Sequence, residues 1–292
     1  MKLTLKAYAK LNLLLDITGI LDNGYHSLNM IMQSVDLYDT VTVEELEDIG
    51  VIITSSDSNI PTDSRNTMWK AVIAFEKATN KKCGVKIHID KKIPSPAGLA
   101  GGSADAAAVL YALNIIYGTN LSPLQLCSIG ATVGADVPFC IVGGTKLALN
   151  IGDVLSPLPD IGDCHIVIAV PDTPVYTKEA YSAFDNSKDS ITHPDNIALI
   201  AAAASGNYEK VYKNTSNVFE QIIEVPDRVP IKAVMRKNNC ELTLMSGSGP
   251  SVFGIFKNAA DALRCANELL PIIEKVHVCK PVDKGIEIIE QQ

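Results

Sequence analysis

At 292 residues, 47% hydrophobic and 20% charged, the chain has the make-up of an ordinary globular protein and is long enough for two modest domains. Its 25 basic residues against 33 acidic ones, a formal net charge of −8, exclude the clustered positive surface that nucleic acid or an anionic membrane would need, but not a small phosphorylated ligand held by backbone amides. The seven cysteines (Cys83, Cys127, Cys140, Cys164, Cys240, Cys265 and Cys279) never approach the spacing of a zinc site, and their odd number, with no secretory or membrane-length apolar segment, leads us to expect buried thiols in a reducing cytoplasm.

The opening stretch LTLKAYAKLNLLLDITG alternates. Leu3, Leu5, Ala7, Ala9, Leu11, Leu13, Leu15 and Ile17 share one face, with Lys6, Lys10, Asn12 and Asp16 on the other, which predicts a long strand region with one buried side. Asn23-Gly24 marks a turn. Strands are predicted around SVDLYDTVTVEE and CGVKIHID, the latter with Val85, Ile87 and Ile89 inward, and a helix from about Asn66 to Thr79 between them. A glycine-rich loop then runs into an alanine-rich helix ending near Gly118, and Ser122-Pro123 supplies N-cap and first-turn residues for the next. NIGDVLSPLPDIGD reads as a crossing between two domains, 1–155 and 156–292. Beyond it come a strand (HIVIAV), helices at about 177–184, 195–204, 207–224 and 228–238, strands ELTLMSG and SVFGIF, the helix AADALRCANELL and the strand KVHVCKP. Without the middle helices this is a split βαβ arrangement, so an α+β protein is expected.

The loop PSPAGLAGGSA, residues 94–104, is the strongest chemical signal. Glycines leading into a helix let backbone N–H groups approach an anion at the positive end of the helix dipole. Neither GxxxxGK[ST] nor GxGxxG occurs in the chain, so this is neither a P-loop nor a Rossmann fingerprint. Ser103 can cap the helix, or offer its hydroxyl to a phosphate or a metal-bound water. A tight turn packed under a helix would use the same glycines. A phosphate cradle without a lysine of its own needs cations from elsewhere, and Lys91, Lys92 and a magnesium ion are candidates.

Four stretches in this order, AYAKLNLLLDITGILDNGYHSL (7–28), PSPAGLAGGSA (94–104), GADVPF (134–139) and GSGPSVFGIF (247–256), resemble the GHMP kinases, the superfamily of galactokinase, homoserine kinase and mevalonate kinase. The resemblance implies a two-domain architecture: an N-terminal ATP-binding domain like domain 2 of ribosomal protein S5, and a ferredoxin-like C-terminal domain. It implies a cytoplasmic enzyme using ATP and Mg2+ on a small-molecule substrate, as a monomer or weak homodimer without nucleic-acid or membrane partners. The GYH triplet points to the branch whose acceptor, 4-diphosphocytidyl-2-C-methyl-D-erythritol, is phosphorylated on its 2-hydroxyl in non-mevalonate isoprenoid biosynthesis.

Carried over residue by residue, the resemblance places ATP on Pro94, Ser95, Pro96, Ala97, Gly98, Leu99, Ala100, Gly101, Gly102, Ser103 and Ala104, with Asn66 near the nucleotide. It makes Asp136 the base, Lys10 its cationic neighbour and Asn12 a substrate-binding residue. A carboxylate beside a lysine can accept a hydroxyl proton, and phosphoryl transfer demands mostly positioning and charge neutralisation. Tyr25 and His26 would read the cytidine, an imidazole offering one donor and one acceptor to a base edge. Tyr181 would stack on that base, with Tyr176 the alternative. No residue is assigned to a metal.

The residues alone also allow plainer readings: a solvent-facing strand side for Lys10 and Asn12, a cap for Asp136, a surface histidine at position 26, and a simple turn at GSGPS. The chain departs from the family pattern at Pro96, Ala97 and Ala104, the last standing where a second serine is frequent. It departs again at Asn150 and Ile151, from which no substrate contact is expected. Alternatives are another small-alcohol kinase of the homoserine or mevalonate type, and a non-catalytic ligand sensor on the same fold. An RNA-binding role on the first domain's fold conflicts with the charge.

Overall fold

A computed structural model describes all 292 residues. The alternating start of the chain forms β1 (Lys2–Ile20), which runs antiparallel to β2 (His26–Glu45) along its whole length through three register shifts. The turn between them is held by Asn23, whose Oδ1 accepts from the Tyr25 amide at 3.1 Å. β2 begins at His26, eight residues earlier than its sequence pattern predicts.

Along β2 the sheet forks. Residues 40–45 pair with β4 (Gly84–Asp90), which takes β3 (Gly50–Ser55) as a parallel edge; residues 28–33 pair with β5 (Thr145–Asn150), which carries β6 (Val154–Pro157). The glycine loop leaves β4 at this fork. Against the sheet lie α1 (Thr67–Thr79), α2 (Gly101–Ile116) and the short α4 (Val137–Val142), with α3 (Pro123–Ala131) packed on these helices. α2 is buried almost all round because its alanines let neighbouring backbones approach, and α3 opens with the Ser122–Gln125 capping box.

The second sheet has the order β10-β7-β9-β8, made of β7 (His165–Val170), β8 (Leu242–Met245), β9 (Val252–Phe256) and β10 (Lys275–Cys279). This is the ferredoxin-like arrangement expected. Period-two alternation splits it between two cores. Ile166, Ile168, Val170, Phe253 and Ile255 join the large core shared with the first sheet. Val167, Ala169, Val252 and Phe256 face α8 (Arg228–Lys237) and α9 (Ala259–Leu269) in a smaller one. Between β7 and β8 lie α5 (Thr177–Ser187), α6 (Asn196–Ala204) and α7 (Tyr208–Asn214). No helix is long and apolar enough to cross a membrane.

Three sequence expectations change. The helix expected over 207–224 stops at Asn214, because Thr215 and Ser216 bond instead to β1: Thr215 Oγ1 donates to Leu13 O at 2.6 Å, and Leu15 N donates to Ser216 O at 3.1 Å. The polar face of β1 is correspondingly not a solvent face. Lys10, Asn12 and Asp16 are each at most 4% exposed, covered by the second half of the chain. Finally, β11 (Pro281–Val282) and β12 (Ile286–Gln291) return to pair with β2 and β1, although the sequence pattern ends its strands at KVHVCKP. Ile288 and Ile289 of this edge strand are both exposed, so its alternation carries little signal.

Candidate active site

The main cavity, about 700 Å³, runs from the glycine loop to the β1–β2 turn. At one end the chain from Ala97 to Gly102 presents six consecutive backbone amides with no partner inside the protein; the first paired one is Ser103 N, which donates to Ala100 O. Such a run at a helix N-terminus is an anion cradle. Its floor is another loop: at Gly98, with φ +73°, a Cβ would stand 2.1 Å from Ser246 O, and Ser246 Oγ donates to Gly98 O at 3.0 Å. The glycine of GSGPS that meets it, Gly247, has φ +57° and a would-be Cβ 3.0 Å from Gly98 O. The second glycine turn is thus there for close backbone approach, which only glycine permits at both positions. Gly102 is braced from α1, where Thr67 Oγ1 donates to its carbonyl at 2.7 Å.

In the middle stand Lys10 and Asp136. Lys10 Nζ lies 3.8 Å from Asp136 Oδ2 and donates to Asn12 Oδ1 at 2.7 Å, while its backbone amide donates to Leu99 O at 3.1 Å. Asn12 Oδ1 also accepts from Gly247 N at 3.0 Å, so one side chain aims the ammonium and ties it to the floor loop. The Lys10 side chain is 5% exposed and that of Asp136 34%, so the carboxylate is the partner open to a ligand.

At the far end the His26 ring stacks on Tyr181, centroids 4.7 Å apart, and His26 Nε2 meets Asp185 Oδ1 at 2.8 Å. Tyr181 packs edge-on against Phe219, and burial, with the nearby Asp136 charge, raises its phenol well above the ordinary value. Tyr25 is 62% exposed at the cavity mouth. Tyr176 is also exposed but does not line the cavity.

The structure therefore brings Lys10, Asp136, Tyr25, His26, Tyr181, Pro94, Ser95, Pro96, Ala97, Gly98, Ala100, Gly101, Gly102 and Ser103 around one space. It does not bring four others there. Asn12 is fully buried behind Lys10, and Asn66 caps α1 through Met68 N at 2.8 Å. Leu99 and Ala104 are core residues. The two lysines offered as phosphate cations are elsewhere: Lys91 is sealed between Asp39 and Asp105, and the Lys92 ammonium lies over the Tyr38 ring at 5.4 Å.

Residues missed from the sequence also line the cavity, among them Lys178, Asp185, Phe219 and Ile151. Lys178, Tyr181 and Asp185 share one face of α5 at helical spacing, so Tyr181 could have led to both charged neighbours. No group of three or more His, Cys, Asp or Glu side chains could cage a metal, and all seven cysteines are free, five of them buried.

Residues 66–144 match the GHMP kinases N terminal domain and residues 197–271 the GHMP kinases C terminal domain. The chain is 46% identical over 274 residues to a 4-diphosphocytidyl-2-C-methyl-D-erythritol kinase of Caldicellulosiruptor saccharolyticus, covering 93% of this chain and 94% of that one. A crystal structure of 4-(cytidine 5'-diphospho)-2C-methyl-D-erythritol kinase superposes with a TM-score of 0.76 at 28% identity, covering 96% of this chain and 99% of the other. Homoserine kinase from Cytophaga hutchinsonii, at 19% identity and a TM-score of 0.75 over 99% and 97% of the two chains, shares the fold.

Proposed function

Because the chain belongs to the 4-diphosphocytidyl-2-C-methyl-D-erythritol kinase family of the GHMP kinases, we propose that it transfers the γ-phosphate of ATP to the 2-hydroxyl of 4-diphosphocytidyl-2-C-methyl-D-erythritol. One observation carries this reading: a cradle of unpaired amides, a lysine–carboxylate pair and an aromatic cluster around His26 and Tyr181 line the same cavity, in that order.

The unpaired amides of Ala97, Gly98, Ala100, Gly101 and Gly102 hold the ATP phosphates, and the α2 dipole favours their charge. Asp136 takes the proton of the acceptor hydroxyl. Lys10, held by Asn12, stabilises the charge that develops as the phosphoryl group moves. His26, Tyr25 and Tyr181 hold the cytosine, and Lys178 supplies a cation for the acceptor's diphosphate. Magnesium delivered with ATP would supply the remaining positive charge at the cradle. The Ser103 hydroxyl would hold it beside the cradle, where it would neutralise phosphate charge. Cytoplasmic action on a small molecule, without nucleic-acid or membrane partners, completes the reading.

The test is ADP release measured with several acceptors. Release that requires the cytidylyl acceptor supports the proposal; equal turnover with free methylerythritol or homoserine overturns the cytidine assignment.

A further inference from the structure

From the Lys10–Asp136 pair a chain of hydrogen bonds runs through the interior to the aromatic end of the cavity, and the chemistry above leaves its last member unused. That member is Asn217, 1% exposed, at the end of the segment that folds back over β1. It does not line the cavity. Its backbone bridges to Leu15 of β1. Both of its amide protons go to the floor: Nδ2 donates to Met245 O at 2.8 Å and to Gly247 O at 2.7 Å. Its Oδ1 accepts from Phe219 N at 3.0 Å and so caps the short turn Val218–Gln221. Both donors and the acceptor of this buried amide are engaged.

Gly247 is where that side chain meets the reacting centre. Its carbonyl is held by Asn217, and its amide by Asn12 Oδ1 at 3.0 Å, the same oxygen that takes the Lys10 ammonium at 2.7 Å. A Cβ on Gly247 would stand 3.4 Å from Lys10 Nζ, so the ammonium rests against this glycine. A glycine has no side chain to fix its own orientation, and the two asparagines supply what it lacks. At the other end Phe219 lines the cavity and packs edge-on against Tyr181, centroids 5.2 Å apart. Asn217 is thus bonded at once to the aromatic wall of the acceptor end and to the loop beside the ammonium. Phosphoryl transfer is sensitive to that spacing, since a misplacement of about 1 Å can cost roughly 10²-fold in rate.

We infer that Asn217 is a positioning residue for the phosphoryl transfer, setting the Lys10 ammonium, through Gly247 and Asn12, against the aromatic wall that holds the acceptor. The inference rests on the reading of Lys10 as the group that stabilises the moving phosphoryl. Wild-type protein that releases no ADP with any acceptor removes that reading and the inference with it. An active wild type leaves the inference to be judged from the variants alone.

The experiment measures ADP release for Asn217→Ser, Asn217→Ala, Asn12→Ala and the double variant N12A/N217S, with kcat separated from the KM of each substrate and folding checked by thermal melting. Serine still caps Phe219 N but is too short to reach both carbonyls. Ser246, the residue that meets the cradle, keeps its own bonds, its amide donating to Ser251 O at 2.9 Å and its carbonyl accepting from Gly249 N at 3.0 Å. N217S should therefore lower kcat at least about tenfold with both KM values within about threefold of wild type. N217A loses the cap as well, so the acceptor's KM should also rise, about fivefold, with KM for ATP level. Because Asn217 acts through Asn12, adding N217S to N12A should lower kcat less than about twofold further, where independent residues would multiply their effects. If N217A does not fold, N217S and the double variant decide. A kcat for N217S within about twofold of wild type, whatever its Tm, overturns the inference. So does a multiplicative loss in the double variant, a rise in KM for ATP as large as the fall in kcat, or an acceptor KM left level in a folded N217A.

Discussion

The two ends of the cavity are built on different physical plans. The cradle end is made of backbone: six amides contiguous in the chain, shaped by glycine and held from below by the floor loop and by the Asp39–Lys91–Asp105 cluster. The acceptor end is made of side chains from distant segments, His26 meeting Asp185 across 159 positions of sequence. Backbone recognises charge and shape, which any triphosphate supplies. Side chains recognise a particular edge and ring. The donor end should thus be brittle to backbone changes and the acceptor end to side-chain truncation, each with little effect on the other. Lys10 and Asp136 lie where the two plans meet.

Replacing the proposed base, Asp136, should have the largest effect. Asp136→Asn removes the proton acceptor but keeps the side-chain volume, and general-base catalysis typically contributes about 10²–10⁴-fold. ADP release should fall by roughly that factor with ATP binding, followed by calorimetry, retained. Unchanged kcat would remove Asp136 as the base. Next comes the backbone end. Gly98→Ala puts a Cβ 2.1 Å from Ser246 O in a left-handed conformation, so the two loops must separate. Strain of about 1–3 kcal/mol should appear as a lower Tm and, through the displaced cradle, a KM for ATP raised roughly tenfold or more. A variant with normal KM for ATP would show that the cradle does not depend on the loop contact.

The acceptor end should respond more mildly. Tyr181→Ala removes a stacking surface worth about 1–3 kcal/mol per base, so the acceptor's KM should rise roughly 5- to 100-fold while KM for ATP stays level. Tyr176→Ala should change neither, because that ring lies outside the cavity. The opposite result would move the base slot from one tyrosine to the other.

The same contrast governs what the sequence revealed. The glycine loop opening α2, the helices α1 and α3 and the ferredoxin-like sheet were legible because each rests on contiguous residues with local physical signatures: a glycine run, helix-forming stretches with an N-cap at Ser122, period-two alternation. The burial of Lys10, Asn12 and Asp16 was not, because it depends on the segments at 215–217 and 246–248 folding back over β1. Periodicity reports that two faces differ, not that the second is also covered. Lys91 misled for a related reason: a lysine next to a phosphate loop looks like a ligand until the carboxyls of Asp39 and Asp105 are seen to enclose it. Asp185 shares a helix face with Tyr181, yet nothing in α5 alone says that this face meets His26.

The last effect is read in stability rather than turnover, and isolates the buried Asp105 carboxyl at the donor end. Burial above all raises the folded-state pKa of Asp105 above its unfolded value, so the native state binds its proton more tightly than the unfolded chain does. The stability it contributes is complete below the unfolded value, about 3.9, and is lost as pH rises toward the folded one, at a limiting slope of about 1.4 kcal/mol per pH unit. Asparagine does not titrate. Asp105→Asn should therefore gain on wild type as pH rises from about 4.5 to 7.5, read as a widening difference in Tm or urea midpoint. Asp39, Lys91 and Cys140 remain in both proteins, so their own titrations largely cancel in the difference. If wild type gains on the variant instead, Asp105 is ionised in the fold, and the cradle stands above a buried negative charge.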